Sequence, residues 1–159
     1  MKEKLSGLAL AGHEFTFLSK NMGYEISPPY TGKIPSHDFG RGIAAQQAKF
    51  WQQYGVLLCI SNGLFADGHI FYGLTTDGDE PGLLKFNDVL NTQGFECEGM
   101  QGRIVIGSNN TDTLYYDTAT ERWGSCDRIG TEKVWETCET LAKSIETQRA
   151  MLRENHPNL

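Results

Sequence analysis

Large apolar residues recur every three or four positions at Phe50, Trp51, Tyr54, Leu57 and Leu58, the spacing that gathers side chains on one face of a helix. The pattern predicts an amphipathic helix over residues 43–60, kinked or interrupted near Gly55. Asn62-Gly63 and Asp67-Gly68 then supply residues that tolerate positive φ. Two turns are therefore expected before His69-Ile70-Phe71-Tyr72-Gly73-Leu74 extends as a strand.

Upstream, Leu5, Leu8, Phe15 and Leu18 fit a helix weakened by Gly7 and Gly12, or a loose strand. Residues 21–41 hold Pro28, Pro29 and Pro35 with Gly23, Gly32 and Gly40. That density breaks helices and predicts an extended arm wrapping the body. Downstream, residues 75–82 and 91–102 read as loops, with a short strand or turn over residues 83–86. Arg103 to Gly107 and Thr113 to Asp117 are β-rich runs, and the Ser108-Asn109-Asn110-Thr111-Asp112 segment between them is hairpin chemistry. A third strand over residues 122–126, after the Thr118-Ala119-Thr120-Glu121 turn, completes a meander. Residues 131–154 are expected to form a long C-terminal amphipathic helix across the sheet, N-capped by Thr131. Its stripe is Val134, Cys138, Leu141, Ile145 and Leu152, with Gln148 at the one polar position and Trp135 and Ala142 as flanks.

At 159 residues the chain has the length of one ordinary domain that buries a core without a disulfide or metal staple. A net charge of −6 opposes binding to a phosphate backbone, so nucleic acid is not an expected ligand. Cys59, Cys97, Cys126 and Cys138 lie far apart with no metal-ligand spacing, which predicts reduced thiols, no zinc site and a cytoplasmic location. The apolar run from Leu5 to Gly12 only reaches the minimum length of a secretory signal, Glu3 sits in its flank and no cleavage pattern follows before His13-Glu14, so none is expected. No stretch approaches the roughly 20 apolar residues of a membrane span.

Catalytic chemistry is sparse. Asp77-Gly78-Asp79-Glu80 begins like a calcium loop, but Pro81 occupies the third ligand position. Cys126, His69 and Asp67 supply the residue types of a nucleophilic site, yet no motif brings them together; neither an enzyme nor a cofactor is expected. The acids are more informative. Asp67, Asp77, Asp79, Glu80, Asp88, Glu96 and Glu98 stand against a single base, Lys85, between residues 66 and 98. Projecting from one sheet edge, they would form a field that steers a basic partner; facing different ways, they are solvated loop tips. Of the neighbouring aromatics Phe65, Phe71, Tyr72 and Phe95, most are expected in the core, with Tyr72 best placed for a second role at a partner surface.

The helix running into Asn62-Gly63-Leu64, with the following strand ending in Tyr72-Gly73-Leu74, resembles the SUKH superfamily of bacterial immunity proteins, especially its YrhA-like branch. Further matches are Leu84 to Asn87, the run from Ile104 to Asp117 and the closing helix, so the resemblance covers residues 50–145 in family order. The Ile34-Pro35 and Phe50-Trp51 layout also resembles GAD-like immunity domains. The resemblance implies an α+β single domain over residues 1–159, with a mainly antiparallel sheet flanked by helices. It implies a protein that binds and neutralises a cognate toxin, commonly a cytosol-acting effector such as a nuclease. The expected partner-binding residues are Asp67, His69, Tyr72, Asp77, Asp79, Glu80, Glu96 and Glu98, acting at the toxin's active site or an exosite. The alternatives are a regulatory or scaffold module of the same fold, and a small hydrolase using His69, Asp67 and Cys126.

Overall fold

In a computed structural model of the chain, which describes residues 2–41, 44–74, 82–92 and 100–159, four helices and six strands follow in the order α1 (Lys2–Asn21), α2 (Ala44–Ile60), β1 (Leu64–Ala66), β2 (His69–Phe71), α3 (Leu83–Thr92), β3 (Arg103–Ser108), β4 (Asp112–Asp117), β5 (Arg122–Asp127), β6 (Val134–Cys138) and α4 (Leu141–Asn155). The strands form one sheet in sequence order, and every neighbouring pair is antiparallel. The architecture is α+β, as expected. Among the described residues no helix is long and apolar enough to cross a membrane.

Register sorts the side chains onto two faces, because cross-strand partners share a face. Ile104, Tyr116, Trp123 and Cys138 are successive partners and join the large core beneath α1, α2 and α4. Val105 and Tyr115 face the other way and pack, with Cys126 and Met100, against Phe86 and Leu90 of α3. On the helical face Phe50 is the hub. Its ring centroid lies 5.0 to 5.7 Å from those of Phe39, Trp51, Tyr54, Tyr116 and Trp123, offset and edge contacts that add to the gain from area burial.

The elements converge where α2 passes into the sheet. Asn62 Oδ1 accepts from the Leu74 N–H at 2.8 Å, while the Asn62 N–H donates to the Pro28 carbonyl of the arm at 2.9 Å. Tyr30 N–H caps the Leu58 carbonyl at 2.8 Å, and Leu83 N–H, opening α3, donates to the Gly73 carbonyl at 2.7 Å. A Cβ at Gly73 would collide with the Asn62 carbonyl. Only glycine permits this approach.

The arm is extended and free of helix and strand from Tyr24 to Phe39. It is fastened by its own far end: Phe39 N–H donates to Gln47 Oε1 at 2.7 Å, Trp51 Nε1 donates to the His37 carbonyl at 3.1 Å, and Arg41 binds Asn87 through both its side-chain and backbone oxygens. Asn87 is fully buried and does what a strand would. Its Nδ2 donates to Val105 O at 2.8 Å and its Oδ1 accepts from Val105 N at 3.0 Å, satisfying the backbone of β3 past the end of β2.

Four expectations change. The ambiguous N-terminal segment is a continuous helix, α1. Helix α2 is not interrupted at Gly55; a Cβ there would meet Ile34 Cγ2 at 3.1 Å, so the glycine makes room for the arm. Residues 83–86 are not a strand but the first turn of α3, whose Leu83 and Asn87, four apart, both turn inward. The C-terminal helix does not begin at Thr131. Val134–Cys138 is the edge strand β6, and α4 starts after Thr140, whose side chain accepts from Lys143 N. Val134, Trp135 and Thr137 are strand formers, and the spacing from Val134 through Cys138 to Leu141 mimics a helical stripe across a strand and a cap.

Asn87→Ala would leave the Val105 N–H and C=O buried without partners. The expected cost is about 2–4 kcal/mol, read as a lower urea midpoint with an unchanged slope.

Candidate functional site

Three expected site residues lie on the β1–β2 hairpin or at its exit. Asp67 and Gly68 form its turn, with φ of 43° and 80°, the doubly positive geometry that matches strand twist. Asp67 Oδ2 lies 2.7 Å from His156 Nε2 at the end of α4. His69 is only 3% exposed, and its Nδ1 donates to Gln148 Oε1 at 2.7 Å. The same oxygen accepts from Asn109 Nδ2 at 3.1 Å, and Asn109 Oδ1 in turn accepts from the Thr111 and Asp112 N–H groups. This buried network locks α4 onto β2 and the β3–β4 turn, so the His69 imidazole is held inside rather than presented to a partner. It also explains Gln148 as the one polar member of the α4 stripe.

Tyr72 is half-buried, its ring tilted against that of Phe86 with centroids 5.0 Å apart. Its N–H donates to the Ile106 carbonyl at 2.8 Å, and its own carbonyl accepts from Tyr54 Oη at 2.6 Å. Burial, followed by the neighbouring Tyr72, raises the Tyr54 phenol well above its ordinary pKa. Phe71 is core and Phe65 is largely exposed.

Asp77, Asp79, Glu80, Glu96 and Glu98, with Phe95, lie outside the described residues. The anchors of their segments are described. Gly73 and Leu83 are pinned together by the 2.7 Å backbone bond. Thr92 ends α3, a helix about 15 Å long. Asp67 is at the opposite tip of the hairpin from Gly73, paired with His156, and Asp88 lies 3.5 Å from His37. The two described acids of this group, Asp67 and Asp88, thus lie on different elements, the β1–β2 turn and α3.

The residues of the hydrolase alternative are not assembled. His69 shares the helical face with Phe71, whereas Cys126 packs with Val105 and Tyr115 on the α3 face. Burial pushes the Cys126 thiol up from its ordinary pKa, away from the nucleophilic thiolate. Among the described residues no group of three or more His, Cys, Asp or Glu is placed to hold a metal ion.

One cleft was not anticipated from the sequence. About 670 Å³ in volume, it is lined by Leu5 of α1, Lys49, Gln52 and Gln53 of α2, Tyr116, the Thr120-Glu121-Arg122 corner and Glu139. Its charges alternate. Lys49 Nζ contacts both Glu121 carboxylate oxygens, at 2.8 and 2.7 Å, and Arg122 Nη1 lies 4.0 Å from Glu139. Arg122 is oriented by Thr137, through Nε to Oγ1 and Nη2 to the carbonyl, both at 3.2 Å. Glu121 adopts φ 58°, a left-handed position where glycine or asparagine is usual. Desolvation, then Glu121 and Asp117, push the Tyr116 phenol up to about 12; it stays neutral at pH 7 and is no general base. The cleft has the chemistry of polar recognition. Its sequence signal is faint: a glutamate ending the Thr118-Ala119-Thr120-Glu121 turn, far from the lysine it meets.

The raised Tyr116 pKa has a signed consequence for stability. Below pH 10 both folded and unfolded chains hold the phenolic proton; between pH 10 and about 12 the unfolded chain loses it first. Stability is therefore expected to fall as pH rises through this window. Unfolding measured between pH 9 and 12 should show a shallower decline for Tyr116→Phe than for the wild type.

Comparison of the chain with family models, with curated proteins and with solved structures finds no match.

Proposed function

We propose that this protein is an immunity protein that works by binding: it neutralises a cognate, cytosol-acting bacterial toxin, such as a nuclease, through direct protein–protein contact in the cytoplasm. The observation that carries the reading is the junction at Asn62-Gly63-Leu64 and Tyr72-Gly73-Leu74. There a helix passes through a tight turn into an antiparallel hairpin, followed by α3, the β3–β5 meander and a closing helix. It supports the reading because the SUKH resemblance of these residues implies an α+β domain with a mainly antiparallel sheet flanked by helices.

Two further features support it. The net charge of −6 suits a basic partner. Of the reactive side chains, His69 is engaged inside the fold and Cys126 is buried on the other face, as suits recognition better than turnover. In this reading the acids Asp77, Asp79 and Glu80, on a segment whose ends are pinned at Gly73 and Leu83, pair with toxin Lys or Arg.

Co-expression with the polypeptide encoded by the adjacent gene tests the proposal. The expected outcome is a stable complex and rescue from that polypeptide's toxicity; neither complex nor rescue would refute it. Charge reversal at Asp77, Asp79 and Glu80 together should slow association by about tenfold or more and flatten its salt dependence. An unchanged association rate would remove this segment from the interface.

A further inference from the structure

Strand β6 is the last in the sheet order, and it carries the large apolar side chains that the fold leaves in solvent at this edge. Trp135 is 60% exposed, Val134 41%, and Ile129, in the turn that leads into the strand, 93%. The other two tryptophans, Trp51 and Trp123, are buried. A tryptophan exposed beside two further apolar residues is the composition of an interface anchor.

The edge is not open along its whole length. Ser125 pairs with Glu136 and Cys126 with Val134, so Trp135 is the extra residue of a bulge. The Thr137 carbonyl is occupied by Arg122 Nη2 at 3.2 Å. Bulges and capped carbonyls are devices that prevent indefinite strand addition. They leave side-chain docking as the mode of contact.

We propose that this edge is the interface of a homodimer, in which a second copy of the chain docks antiparallel across a two-fold axis between Val134 and Trp135. The order Lys133-Val134-Trp135-Glu136 is self-complementary under that operation. Lys133 meets Glu136 of the second copy, Val134 meets its Trp135, and each contact occurs twice. Opposite charges flank an apolar centre, and the isologous contact uses each edge once, so the assembly closes at two. Glu136 is already oriented, its Oε1 accepting from Thr147 Oγ1 at 3.1 Å. One strand per copy is a small contact by the standard of stable dimers, so the dimer is of micromolar rather than nanomolar affinity. It leaves the β1–β2 edge free, and it does not depend on the proposed function.

Sedimentation velocity of the full chain over roughly 5–500 μM tests the inference, the expected result being reversible monomer–dimer exchange with dissociation constants in the micromolar range. Trp135→Ala should weaken association by about tenfold or more without changing the thermal unfolding midpoint, since the side chain is exposed. Lys133→Glu and Glu136→Lys should each be monomeric alone and associate when mixed one to one, because the mixture restores both charge pairs. Acrylamide quenching of the exposed tryptophan should fall as wild-type concentration rises. A wild type monomeric throughout the range overturns the proposal. So does association that Trp135→Ala leaves unchanged, or a mixture of the two charge variants that stays monomeric.

Discussion

The hydrogen bond from the Leu74 N–H to Asn62 Oδ1, made while the Asn62 backbone binds Pro28 and its carbonyl lies against Gly73, is the constraint on which the rest of the fold depends. It fixes the exit of α2, the end of the β2 segment and the arm at one point, and the Gly73 carbonyl then receives the first N–H of α3. The α2 exit, the end of β2, the start of α3 and the Pro28 arm meet there, the arm 34 residues before Asn62 in sequence. A side chain at position 73 would force them apart, so asparagine and glycine here serve geometry, not reaction.

From that point the two sheet faces develop differently. The helical face is dominated by aromatic packing about Phe50, and its buried polar groups are bound into networks such as His69–Gln148–Asn109. The opposite face is covered more thinly by α3, which Asn87 ties to Val105 and Arg41 ties to the arm. The charged surface cleft lies between the N-terminal part of α2 and the β4–β5 corner, away from the Asn62 junction. A rigid centre with polar and apolar surfaces at its margins is an arrangement suited to holding partners.

Much of this was readable in the residues. The α2 stripe, the Asp67-Gly68 turn, the β3–β5 meander and the proline-rich arm all follow from local periodicity and turn chemistry, and the structure contains each of them. What failed did so for a physical reason. Val134 and Cys138 fall on a helical spacing with Leu141, but pairing with β5 decided the conformation, and no local signal reports a sheet edge waiting for a sixth strand. Helix α3 was hidden because its inward Asn87 looks polar until its partner Val105 is known. Among the site residues, Asp67 was correctly placed at a turn, whereas the burial of His69 depends on Gln148, 79 positions away. The Lys49–Glu121 contact spans 72 positions and could be found only after folding.

The central proposal is that a rigid junction presents a binding surface. Hydrogen–deuterium exchange of the chain alone and mixed with the polypeptide encoded by the adjacent gene tests this most directly. The account predicts new protection in residues 75–81, between the pinned ends at Gly73 and Leu83, with slow and unchanged exchange at Leu74 and through β3. Unaltered exchange in residues 75–81, with protection concentrated instead around His69 and Cys126, would contradict it.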